Sequence, residues 1–292
     1  MPTEILEEVI DSCQDENFFS EFYETVFANP ALSNVNVSKS YQLNVLKQFT
    51  KGEITQDDIY DKLALVLGSP TTDVSDKCYF NDDGSLLAVF QESNNQLSRG
   101  TTGLSIWQAS CDLANLLRSV DLSNKVVVEL GAGCGVSGIV AASLYPTSIV
   151  YLTDYDENVL SQLQTNVNRN SLTNTHVRSL DWEDRQSPVF DEVGQADFIL
   201  CADVVYDIKL IDPLLTTIKR LFHEKTVALI ASTRRSDLVT VLKDRLHRVA
   251  LKVVECVVVT ADRKLIDEPW TTNFPFPSSI QADTVFYNVQ LA

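Results

Sequence analysis

The densest chemistry in this chain is the run KVVVELGAGCGVSG, Lys125 to Gly138, in which a valine-rich stretch and Glu129 lead into Gly131, Gly133, Gly135 and Gly138. An apolar helical stretch, Ile139 to Leu144, follows directly. The pattern predicts a strand, a tight turn and a helix. Glycines let the backbone take positive φ and let a ligand approach where a Cβ would block it, and the helix start offers free amides to an anion or a polar nucleoside. Asp154 stands about 20 residues further on, at the end of the next strand, where a carboxylate accepts hydrogen bonds from two ribose hydroxyls. Two ligands fit so far. Gly133 to Gly138 also satisfies the dinucleotide pattern GxGxxG, so an NAD(P)-dependent oxidoreductase competes with an S-adenosylmethionine (AdoMet) enzyme.

Four features favour AdoMet. Glu129 lies two residues before Gly131, giving the ExGxGxG form typical of class I methyltransferases; its acid either orients the turn or sits near the cofactor's ammonium. Leu180-Asp181-Trp182 follows the third strand, where Asp181 can accept from an exocyclic amine and Trp182 can cover an adenine. Asp203-Val204-Val205-Tyr206 closes the fourth strand, at the carboxyl edge where open α/β sheets bind ligands, and a polar pair right after the apolar FILCA is poorly explained as core. The last two strands form an antiparallel pair. An oxidoreductase also wants a Tyr-x-x-x-Lys or His/Asp arrangement, which is not evident, and His176, His223 and His247 read as ordinary surface or boundary residues.

These residues need a parallel sheet to gather them. Short β-rich runs alternate with longer helical windows from Gly100 onward, with strands expected at Val126 to Leu130, Ile149 to Thr153, His176 to Ser179, Phe198 to Ala202, Thr226 to Ser232, Leu251 to Thr260 and Thr284 to Gln290. Before them, Ile5, Val9, Phe18, Phe19, Phe22, Tyr23 and Val26 recur at helical spacing. Further helices are expected from Ser40 to Phe49 and from Ile59 to Leu67, ended by Gly68 and Pro70. Between these regions, Asn81-Asp82-Asp83-Gly84 reads as a turn and Leu86 to Phe90 as a strand or hairpin. The expected division is a helical region over 1–83, with no catalytic motif, and a catalytic domain over 84–292.

Composition bounds the rest. The 292 residues are 45% hydrophobic and 22% charged, within the globular range, and the net charge of -17 argues against nucleic-acid binding by counterion release while suiting a basic protein partner. Six scattered cysteines without a CxxC pair suggest neither zinc nor disulfides. The acidic N-terminus lacks a signal-peptide pattern, and no run reaches the roughly 18 apolar residues needed to span a bilayer. The expectation is a monomeric cytoplasmic protein.

The combination GTTGLSIWQAS, VVELGAGCGVSG, LTDYD, LDWED and CADVVYD resembles the seven-β-strand protein-lysine methyltransferases marked by a DxxY motif, over about residues 84 to 292. With its helical N-terminal region, the chain is most similar to the branch acting on translation elongation factor 2. The resemblance implies a Rossmann-like seven-stranded sheet with a C-terminal antiparallel hairpin. It also implies AdoMet as cofactor: Trp107, Glu129 and Ala202 in its pocket, Gly131, Ala132, Gly133 and Gly135 around the methionine portion, Asp154 on the ribose, and Asp181 with Trp182 on the adenine. Asp203 and Tyr206 would face the incoming lysine, and the helical region would select the substrate. A non-catalytic adaptor with this fold is a third possibility.

Overall fold

Three stretches of three-and-four spacing between residues 16 and 68 become the helices α1 (Glu16–Val26), α2 (Lys39–Lys51) and α3 (Asp57–Gly68) in the computed structural model, which describes residues 9–51, 57–81, 85–233, 236–259, 276 and 282–292. Asp15 starts α1 by accepting the amides of Asn17 and Phe18 at 3.0 and 2.9 Å, satisfying donors that a helix start leaves unpaired. The three helices share a core of Phe19, Leu46, Phe49, Ile59 and Val66, with Phe22 stacked on Phe49 at 5.4 Å between ring centres. Lys39 Nζ closes the far end of α3 by donating to the carbonyls of Leu67 and Ser69 at 3.0 and 2.6 Å. A two-stranded sheet, β1 (Val74–Phe80) and β2 (Leu86–Ser93), follows. Of the two readings, strand or hairpin, the paired strands correspond to the hairpin, although VSDKCYF alternates polar and apolar residues too weakly to mark the limits of its first strand. Ile5, Asp82, Asp83 and Gly84 lie outside the described residues, as does the expected boundary between 83 and 84. The chain forms two compact units, Met1–Leu87 with Gln91–Asn94 and Ala88–Phe90 with Asn95–Ala292.

The second unit is a twisted sheet with crossover helices. Its elements run α4 (Gln108–Leu117), β3 (Val126–Leu130), α5 (Val136–Leu144), β4 (Ile149–Asp154), α6 (Glu157–Arg169), β5 (Thr175–Ser179), α7 (Val189–Val193), β6 (Phe198–Ala202), α8 (Ile211–Leu221), β7 (Val227–Thr233), α9 (Ser236–Arg248), β8 (Leu251–Val259) and β9 (Thr284–Leu291). The spatial order is β5-β4-β3-β6-β7-β9-β8. Strands β3 to β7 are parallel, and β9 runs antiparallel to both neighbours, β7 and β8. This is the seven-stranded sheet that the resemblance implies. The C-terminal pair is antiparallel as expected, but the later strand inserts beside β7 and leaves β8 at the rim.

The valine-rich strands read as continuous apolar runs because both sheet faces are covered. Val127, Val128, Leu130, Ile199, Leu200 and Cys201 are wholly buried, each apolar side chain contributing about 1.5–3 kcal/mol of transfer free energy when fully buried. Register pairs Val128 with Tyr151 on one side and with Ile199 on the other, so the tips of β3, β4 and β6 end side by side. Among the described residues no helix is long and apolar enough to cross a membrane, and no group of His, Cys, Asp and Glu could hold a metal ion. Cys13 and Cys201 are free thiols; the side chain of Cys256 and residue Thr260 lie outside the described residues. His176 stacks on Tyr151 at 5.0 Å, and His223 Nε2 lies 3.7 Å from Asp197.

Candidate active site

The chain leaves β3 toward β4 and β5 on one side and returns to β6 and β7 on the other, so a crevice opens at the carboxyl ends of β3 and β6. A cavity of about 550 Å³ lies there, within the size range of small-molecule sites. It is lined by Gly131, Ala132 and Gly133 after β3, Asp154 after β4, Asp181 and Trp182 after β5, Ala202, Asp203 and Tyr206 after β6, and Trp107 ahead of α4. Ten of the twelve site residues expected from sequence thus meet in one place. A hollow of about 680 Å³ at Gln195, His223, Glu224 and Lys225 lies by the amino ends of β6 and β7, away from the glycine turn.

The two that do not line the cavity explain how the turn is built. Glu129 is 1% exposed, and its Oε2 accepts the amide of Gly138 at 2.9 Å inside the first turn of α5. Of the two roles open to it, orienting the turn is the one its position supports. Burial pushes its carboxyl up to about 8, against the lowering effect of hydrogen bonds from Gly138 and Ser137. Gly135 has φ +82°, and a Cβ there would lie 2.3 Å from Leu163 Cδ1. Its bareness serves the packing of α5 against α6.

Gly133 faces the ligand side. Its φ is +55°, its amide donates to Asp154 Oδ2 at 3.1 Å, and a Cβ would come within 3.1 Å of the Gly103 carbonyl oxygen. Asp154 is 9% exposed; its Oδ1 takes the amides of Tyr155 and Asp156 at 2.8 and 3.3 Å. Burial raises its pKa while the amides of Gly133, Asp156 and Tyr155 oppose the rise. Oδ2 retains a lone pair for a ribose hydroxyl. Asp181 accepts the Glu183 amide through Oδ1 at 2.9 Å, which folds the turn that carries Trp182. The side-chain-free glycine turn, the two carboxylates and the indole are the close-approach surface, acceptors and apolar cover that a sulfonium nucleoside requires, so the residues present fit AdoMet.

Sequence reasoning passed over several wall residues: Thr101, Thr102, Gly103, Ser105, Ser110, Cys134 and Tyr155. The GTTG turn was the available signal, since Trp107 Nε1 donates to the Thr102 carbonyl at 3.0 Å and so hangs the indole on that loop.

Asp203 is a non-glycine residue with φ +53°. Its Oδ1 accepts the Thr233 amide at 2.7 Å, the Thr233 hydroxyl lies 2.8 and 2.7 Å from Oδ1 and Oδ2, and the Ala109 amide donates to Oδ2 at 3.3 Å. Thr233 carries no motif that marks it from sequence; Arg234 and Arg235, which follow it, lie outside the described residues. Tyr206 is half exposed at the cavity mouth. Burial, then Tyr155 and the negative charges of Asp154 and Asp207, raise its pKa, so its phenol stays neutral at physiological pH.

A family model described as "Lysine methyltransferase" matches residues 83–248. The protein N-lysine methyltransferase METTL21A of Xenopus tropicalis is 36% identical over 135 residues, 44% of this chain and 60% of that protein. The protein-lysine N-methyltransferase EFM3 of Chaetomium thermophilum is 27% identical, covering 76% of each chain. The human protein-lysine N-methyltransferase EEF2KMT is 29% identical over 56% of this chain and 54% of its own length. The chain thus spans just over half the length of two of these three relatives. In fold it is similar to a Pyrococcus horikoshii transferase structure, with a TM-score of 0.50, 13% identity, and 80% and 83% of the two chains covered. The family match decides between the two cofactors that the glycine turn admits: this chain belongs to the lysine methyltransferase family, whose methyl donor is AdoMet.

Proposed function

We propose that this chain is a monomeric, cytoplasmic enzyme that methylates a lysine side chain of translation elongation factor 2. The observation that carries the methyl-transfer part is the convergence of the glycine turn, Asp154 and the Asp203–Tyr206 segment on one cavity. Support for the substrate comes from the similarity to EFM3 and EEF2KMT, the former extending over 76% of the chain. In this reading Gly131, Ala132 and Gly133 hold the methionine portion of AdoMet, Asp154 its ribose, and Asp181 with Trp182 its adenine. Trp107 and Ala202 complete the wall, and the helical unit selects the substrate.

Bound AdoMet supplies an electrophilic methyl carbon, to be attacked in line by a neutral amine. The task left to the chain is to bring lysine, with an ordinary pKa of about 10.4, into that neutral state and to aim it. Withdrawal from water disfavours the ammonium. Asp203 and Tyr206 then accept the amine N–H bonds, which points the lone pair away from them, and the Tyr206 ring offers a face to the methylated cation. Incubation of the full chain with labelled AdoMet and purified elongation factor 2, followed by mass spectrometry, tests this: one lysine of the factor gains methyl groups. Label confined to other proteins of a cell extract would replace the substrate, and no label anywhere would favour the adaptor.

A further inference from the structure

The carboxylate of Asp203 is held by more protein donors than a group reserved for substrate needs. Thr233, thirty residues away at the tip of the neighbouring strand β7, approaches it with both its amide and its hydroxyl, at 2.7 to 2.8 Å. The Ala109 amide, in the first turn of α4, approaches from the other side at 3.3 Å. That helix begins at Trp107, which makes no side-chain cap of its own. Asp203 therefore caps α4 across space, doing what a local Ser or Asp usually does. Its φ of +53° is a conformation that L residues occupy only when their surroundings impose it, and the Asp203 amide is itself held by the Ala231 carbonyl at 2.9 Å.

We propose that Thr233 is a positioning residue for methyl transfer: by locking the Asp203 carboxylate between β7 and the first turn of α4, its hydroxyl sets the DVVY segment against the cavity. The hydrogen bond from the backbone N–H of residue 233 to Asp203 survives any substitution but proline, whereas the hydroxyl bond depends on the side chain. Without the hydroxyl, Oδ2 loses its nearest donor and the carboxylate can swing about its remaining partners. Removing one hydrogen bond to a charged group inside a site costs about tenfold or more in rate when its geometry is used in the transition state.

This rests on the lysine-methylation reading above, and the experiment separates the two. Full-length wild type, Thr233→Val and Thr233→Ser are compared for methyl incorporation from saturating labelled AdoMet into protein of a cell extract, for AdoMet affinity by calorimetry, and for melting temperature. Expected are a loss of about tenfold or more for the valine variant, recovery to within about threefold by serine, and AdoMet affinity within about threefold throughout. Undiminished labelling by Thr233→Val overturns the positioning role alone, as does a Thr233→Ser variant that melts like wild type yet is as slow as valine. An unlabelled extract with the wild type overturns the methylation reading and this one with it. If the valine variant does not fold, the serine variant alone decides: with the hydroxyl kept and only the methyl lost, positioning requires that a folded serine variant keep its rate, and a folded but slow one overturns it.

Discussion

A carboxylic acid in the middle of a β-strand makes a definite prediction about acidity. Glu129 is held above its unfolded value, from 4.5 to about 8, chiefly by burial. The folded chain therefore binds a proton between those limits that the unfolded chain has released. The associated stability is complete below pH 4.5 and is lost as the pH rises through about 8, a change on the order of a few kcal/mol. Glu129→Gln, neutral at every pH, should melt at nearly the same temperature at pH 6 and pH 8.5, while the wild type melts lower at the higher pH. A wild-type melting temperature that does not fall over that range would mean the buried carboxyl is already ionised. At this scale the sequence told which residues matter better than what they touch. Glu129, Asp154, Asp181 and Asp203 each stand out as polar residues beside apolar strands. The Thr233 partnership with Asp203 was invisible, because it depends on which strand lies beside β6 and in what register.

Elements were easier to read than the contacts between them. Strands β3 and β6 fall at the expected residues, since a short apolar run bounded by turn residues has sharp limits; β4, β5 and β9 differ from expectation by one residue at one end, and β7 is shifted by one residue at both ends. What escaped were the limits of β1, whose polar content hides its alternation, and the insertion of β9 beside β7, which no periodicity encodes. Helix packing also gives one expected site residue a structural role. Gly135 matters to the α5–α6 contact and does not line the cavity, so Gly135→Ala should lower stability by about 1–3 kcal/mol through overpacking and the strained φ. Calorimetric AdoMet affinity, measured well below the new melting temperature, should stay within about threefold of wild type. A tenfold loss of affinity without loss of stability would return Gly135 to the ligand.

For the molecule as a whole, the two units each have an apolar centre of their own, Phe19, Leu46 and Phe49 in one and the strand-centred cluster around Val128 and Ile199 in the other. All cavity walls belong to the second unit. Deleting residues 1–70 should therefore leave AdoMet binding within about threefold and lower methylation of elongation factor 2 by about tenfold or more, read by calorimetry and label incorporation. A shortened chain that melts cooperatively and methylates as fast as the full one would remove the selecting role from the helices. One topological detail bears on how such a chain is made. Because β9 alone bridges β7 and β8, β7 keeps one open edge and β8 has no partner in the sheet until residues 284–291 have been synthesised. A ribosome that pauses before that point would present unpaired strand edges, open to pairing with another nascent chain. Residues 284–291 are therefore a quality checkpoint: premature stop codons just upstream of them should yield aggregates or substrates for proteolysis.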